Sequence, residues 1–220
     1  MLGTRTVRIG AVVWILTVQF FVLQAVVQLA WTTPFSLTQN FISDLGNTAC
    51  GPYPRGSSSY VCSPWHAAMN ASFVVQGLII LLGGACLYRA FPAGRLRPWG
   101  FMFLSASGPG LLLVGLFPEN GNLPLHKLGA GVQFVIGNLG IALLGVVFAR
   151  AGRRALGVFS IACGVIGLVA TVLLIQDRFL GLGVGGMERL AAYPLPVWLI
   201  AVGLAFVGLT GHRSNRAATQ

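Results

Sequence analysis

Six apolar runs, each long enough to cross a bilayer as a helix, constrain this 220-residue chain more than any other feature. They are Ile9–Trp31, Trp65–Tyr88, Pro98–Phe117, Leu125–Ala149, Ala155–Gln176 and Leu190–Thr210. A span takes about 20 mostly apolar residues, and in lipid a helix satisfies all of its own backbone hydrogen bonds. Only 8% of the residues are charged, against roughly 25% in soluble domains. The expected class is all-α: one integral membrane domain over residues 1–220, a polytopic bundle of six transmembrane helices with both termini cytoplasmic. The first run is read as a retained helix. It is too long for a signal-peptide core, and no A-x-A-like cleavage site precedes Trp31.

Charge gives the orientation. Arg5, Arg8, Arg89, Arg95, Arg97, Arg150, Arg153, Arg154, Arg213 and Arg216 share one side, which is ten of the fourteen basic residues and none of the acids. The other side receives Arg55, Lys127, Arg178 and Arg189 with all four acids, Asp44, Glu119, Asp177 and Glu188. The positive-inside rule makes the first side cytoplasmic. The net charge of +10 therefore sits in short topogenic clusters, and nucleic acid is excluded as a partner.

The longest connection, Thr32–Pro64, lies outside. Within it Cys50 and Cys62 bracket a stretch rich in Gly, Pro and Ser that can turn back on itself, so a disulfide is expected. On the loop-entropy model it restrains the loop by roughly 3 kcal/mol. Cys86 and Cys163 fall in spans and are expected to be reduced packing residues. Phe35, Leu37, Phe41, Ile42 and Leu45 recur near helical spacing, which predicts a short interfacial helix over the bundle. The chain shows no internal repeat of the kind many transporters carry.

Ionisable groups near a bilayer are costly, so the acidic rim is where chemistry is expected. His66 and Asn70 are i,i+4 neighbours at the start of the second span. Glu119 and His126 flank the turn into the fourth, with Gln133 and Asn138 deeper on that helix. Asp44 lies in the first loop beside Asn40 and Ser43. The candidate catalytic set is His66, His126, Asp44 and Glu119, and the candidate substrate-binding set is Asn70, Gln133, Glu188, Arg189 and Tyr193. His66, His126 and Asp44 form a candidate ligand set for a divalent metal such as zinc, since three protein ligands plus water is the usual catalytic arrangement. Each group also fits an ordinary role as a cap, a turn acid or rim charge. Gly181–Gly186 matches G-x-G-x-x-G but follows no strand, so it is read as a flexible turn rather than a dinucleotide site.

The runs FISDLG, WHAAMNASF, FPEN with LHKLGA, and ERLAAYP resemble the prokaryotic membrane proteins grouped as domain-of-unknown-function family 998. The resemblance covers nearly the whole chain. It implies a small multi-pass bundle in a prokaryotic plasma membrane and brings no established activity. More distantly, the rim of acid and histidine is similar to transmembrane hydrolases of the alkaline ceramidase and progestin-receptor kind. Their H-x-x-x-H pair has no counterpart here.

Three functions follow as expectations. The first is an enzyme acting on a lipid or isoprenoid, either metal-dependent or by acid–base catalysis with the same groups. The second is a protein that binds or transports a lipid or small solute. The third is an accessory subunit whose rim meets a membrane-protein partner. Membrane lipid is the expected partner in the first reading.

Overall fold

The computed structural model describes residues 3–53 and 59–218, with side chains for 3–52 and 60–209. Arg55, placed above on the acidic side, lies outside the described residues. Among the described residues, six helical segments are long and apolar enough to span: Thr4–Leu29, His66–Ala90, Arg97–Leu116, Leu123–Arg150, Arg154–Ile175 and Gly183–Leu209. The first is built from α1 (Thr4–Ile15) and α2 (Val18–Leu29), the second from α3 (His66–Leu87), and the third from α4 (Leu96–Leu116). The fourth joins α5 (Leu123–Gly131) to α6 (Asn138–Arg150) through a π-helical stretch, Val132–Gly137. The last two are α7 (Arg154–Ile175) and α8 (Gly183–Ala192) running into α9 (Pro194–Ala218).

The spans close into a ring in chain order. Helix α1 packs on α3, α3 on α4, α4 on α5 and α6, α6 on α7, α7 on α8 and α9, and α9 back on α1. Short connections make sequential neighbours, and glycines let backbones meet. A Cβ added to Gly129 of α5 would stand 2.4 Å from the Gly110 carbonyl of α4. Ile175, Val158 and Leu82 face outward at 75%, 67% and 60% exposure, as lipid-facing side chains do. Inside, rings pack around Phe91, whose centroid lies 4.7 Å from Phe148, 4.9 Å from Phe101 and 5.2 Å from Phe206.

The first loop departs from expectation. The predicted interfacial helix is absent among residues 35–45, and its C-terminal end is a single 3-10 turn, Ser43–Gly46. Side chains here take the backbone groups that a helix would use: Asn40 Oδ1 accepts from Ser36 N–H at 2.9 Å and Asp44 Oδ2 from Phe41 N–H at 2.9 Å. Beyond it, β1 (Gly51–Tyr53) and β2 (Ser59–Val61) pair antiparallel with Gly51 opposite Val61. The Cys50–Cys62 disulfide closes the base of this hairpin. Cys86 and Cys163 are free thiols.

The last span also begins earlier than its apolar run. Gly183–Gly186 is the first turn of α8 rather than part of a flexible turn. These glycines are needed because loop one lies against them. Gly185 N–H donates to the Thr38 carbonyl at 2.9 Å, and a Cβ on Gly185 would fall 2.2 Å from the Asn40 carbonyl.

Candidate functional site

Loop one covers the ring on the acid-rich side and is fastened from several helices. From α3, Asn70 Nδ2 donates to the Gly46 carbonyl at 2.9 Å. Just before α3, Ser63 Oγ donates to the Leu45 carbonyl at 2.6 Å. From α8, Arg189 Nη1 donates to the carbonyls of Leu37 (3.0 Å) and Asn40 (2.7 Å) as well as to Gly185 (2.9 Å) of its own helix. Glu188 accepts from Ile42 N–H. Glu188 and Arg189 are thus both buried and hold the backbone of loop one in place.

Beneath the cover, at the ring's centre, lies a cavity of about 40 Å3. Phe20, Phe73, Leu111, Val114, Phe134 and Leu195 make its walls apolar, while Ser43, Gln76, His126, Gln133 and Glu188 bring polar groups to it. A water needs roughly 10–15 Å3 of such space, so the cavity admits a few waters or one small polar group.

His126 is placed by local sequence. Asn122 caps α5 by accepting from Leu125 N–H at 3.2 Å, and Pro124 suits the first turn because its missing N–H would have no partner there. One turn on, His126 Nδ1 lies 3.0 Å from the Phe117 carbonyl. A carbonyl only accepts, so Nδ1 carries hydrogen and, in the neutral ring, Nε2 holds the lone pair.

A carboxyl pair stands behind Ser43. Glu119 accepts from Ser43 Oγ at 2.8 Å and from Asn47 Nδ2 at 3.2 Å. Asp44, from the loop, is hydrogen-bonded to Glu119 and accepts from Asn40 Nδ2 at 3.1 Å. Burial, then the like charge of Glu119 and the hydrogen bond to it, push the Asp44 carboxyl up to about 7. Asp44 is therefore present in both forms near neutral pH, and its protonated form is the one that can donate to Glu119.

The remaining candidates lie as follows. His66 is only half-buried and does not line the cavity; its Nδ1 is 3.0 Å from the Ser63 carbonyl. Asn70, expected to orient His66, instead donates to the loop at Gly46. Gln133 Nε2 reaches the Ala192 carbonyl at 3.4 Å and Asn138 Nδ2 the Ala191 carbonyl at 3.0 Å. These two meet the same end of α8 because the π stretch between them widens the helical turn, an effect no 3.6-residue count anticipates. Tyr193 donates to Gln24 Oε1 at 2.8 Å.

Among the described residues no three of His, Cys, Asp or Glu are grouped so as to hold a metal ion. The set His66, His126 and Asp44 is therefore not assembled, and no step through zinc is derived. Sequence reasoning gave Gln76 and Asn47 no part in the site. Gln76 carried a signal, an amide within an otherwise apolar span that needs a buried partner. It finds Thr17 Oγ1 at 3.1 Å.

No curated protein and no solved structure matches this chain. A family model does match, over residues 15–205, under the description "Protein of unknown function (DUF998)". With most of its length inside that match, the chain belongs to domain-of-unknown-function family 998.

Proposed function

We propose that this polytopic membrane protein is an acid–base enzyme acting on a lipid or isoprenoid, with loop one outside in a prokaryotic plasma membrane. The observation that carries this reading is one cavity lined by His126, Glu188 and Ser43, with the Asp44–Glu119 carboxyl pair one hydrogen bond behind Ser43. In it, His126 Nε2 takes a proton from a substrate hydroxyl or from water, within a mostly apolar enclosure that strengthens every charge interaction. Glu188, held by Ile42 N–H, brings a second titratable group to the same cavity. Ser43, Glu119 and Asp44 form a path by which a proton leaves or returns. At about 40 Å3 the cavity holds the reacting polar end rather than a whole headgroup, so the apolar part of the substrate must lie elsewhere.

The test is turnover. Purified protein in nanodiscs would be offered phospholipid and polyprenyl phosphate, and products followed by mass spectrometry. Wild type should convert one of them, and His126→Ala should reduce the rate roughly 100-fold or more, as loss of a general base does. Glu188→Gln should retain the fold and lower the rate less. Saturable binding without turnover would replace the enzyme by the binding reading, which the largely apolar walls also suit. His66→Ala is expected to leave the rate unchanged, since His66 lies off the cavity.

A further inference from the structure

Another hollow lies on the lipid side of α8. It is an apolar groove of about 400 Å3 between α7 and the α8–α9 segment, bounded by Ile166, Leu182, Leu190, Tyr193 and Val197, and Arg189 lines it. Ile166, Leu190 and Val197 are 46%, 40% and 41% exposed, so the groove opens to the acyl region of the bilayer.

Arg189 is unusual in that setting. It is only 8% exposed, yet its Nε is buried and has no hydrogen-bond partner. Its Nη1 is taken by backbone carbonyls, which offer dipoles but no net charge. The neighbouring Glu188 interacts electrostatically with Arg189 but hydrogen-bonds to Ile42 N–H and lines the central cavity, and Tyr193 takes a further hydrogen bond of the guanidinium, so the Nε–H is what stays unmet. A buried donor left unmet at the wall of a lipid-facing groove is costly, and a guanidinium suits phosphate geometry.

We propose that this groove seats one acyl chain of an anionic phospholipid, with the lipid phosphate held at the Arg189 guanidinium. One molecule then covers the apolar walls and meets the unpartnered guanidinium N–H together. The site lies outside the central cavity and does not depend on the acid–base reading.

The experiment is native mass spectrometry of protein released from nanodiscs of phosphatidylglycerol and phosphatidylcholine mixed in equal amounts. Wild type should retain phosphatidylglycerol in roughly tenfold preference, the factor that a charge-assisted contact supplies. Arg189→Met should abolish the preference, but it also frees loop one. Val197→Trp is therefore the second variant. It fills the groove from an exposed position, leaves the Arg189 bonds in place, and should lose lipid retention while keeping the wild-type melting temperature. Equal retention of the two lipids by wild type would overturn the proposal, as would unchanged retention by Val197→Trp. So would thermal stabilisation by inorganic phosphate in lipid-free detergent equal to that by phosphatidylglycerol, which would mark a plain anion site.

Discussion

The two halves of the bundle are held together by different forces. Toward the basic-loop side, the interior is a cluster of rings: Trp14 lies 5.3 Å from Trp198 and 6.0 Å from Phe91, which itself touches Phe101, Phe148 and Phe206. Toward the acid-rich side, the interior is polar. Ser43, Asp44, Asn47, Gln76, Glu119, His126 and Glu188 are all buried there, joined by hydrogen bonds that bridge distant parts of the chain. Ring packing is dense and indifferent to small shifts in polarity, so it makes an anchor. A buried polar network must have nearly every partner in place, which is a costly arrangement to keep without a use. The contrast sets a polar, covered end against an aromatic anchor, and the proposed function belongs to the first.

The comparison stands on the two ends facing opposite sides of the membrane, and an all-or-none experiment can break it. In a Cys86→Ala, Cys163→Ala background, a membrane-impermeant maleimide applied to intact cells should label Thr48→Cys and leave Ala151→Cys untouched. Labelling of the second alone would invert the orientation.

The next effect in size belongs to the ring cluster. Phe91→Ala should destabilise the protein by roughly 3–5 kcal/mol, as loss of a fully buried aromatic does. Measured by unfolding in mild detergent, that cost should be nearly independent of pH. The Cys50–Cys62 bond comes next. Cys50→Ser with Cys62→Ser should cost roughly 3 kcal/mol on the loop-entropy model, with the loss confined to loop one in hydrogen exchange.

The carboxyl pair provides a signature that only the polar half can give. Asp44 is raised in the folded protein from 3.8 to about 7, so the folded state keeps a proton that the unfolded chain releases. Stability from this group is fully present below about 3.8, falls as pH rises to about 7, and is level above that. Asp44→Asn should flatten that slope, whereas Phe91→Ala should preserve it. An unchanged slope in Asp44→Asn would show that the pair does not share its proton. The smallest effect is expected from Asn70→Ala, which removes the bond to the Gly46 carbonyl and should cost about 1 kcal/mol. Faster exchange of amides 43–47, with the ring cluster unaffected, would separate the cover from the anchor.

What was legible in the sequence follows from one-dimensional constraints. A span is a length of apolar chain, and the segments His66–Ala90 and Arg154–Ile175 lie within a few residues of their apolar runs. The Cys50–Cys62 pairing followed from loop length and composition. The site was legible only as a layer. Glu119, His126, Asp44 and Glu188 were all assigned to one rim, but sequence has no term for which helices neighbour which. The ring order puts α4 between α3 and α5, and His126 comes to line the central cavity while His66 does not.

Tertiary structure decided the rest, because it depends on groups whose partners are far away in the chain. Residues 35–45 have the spacing of a helix, yet buried side chains satisfy their backbone instead. Gly183–Gly186 reads as a turn, yet it is helical because loop one needs its bare surface. Hydropathy, charge side and cysteine spacing are properties of the chain itself, and the sequence determined them alone. The contact between Asp44 and Glu119 is a property of two residues 75 positions apart, and only folding could place it.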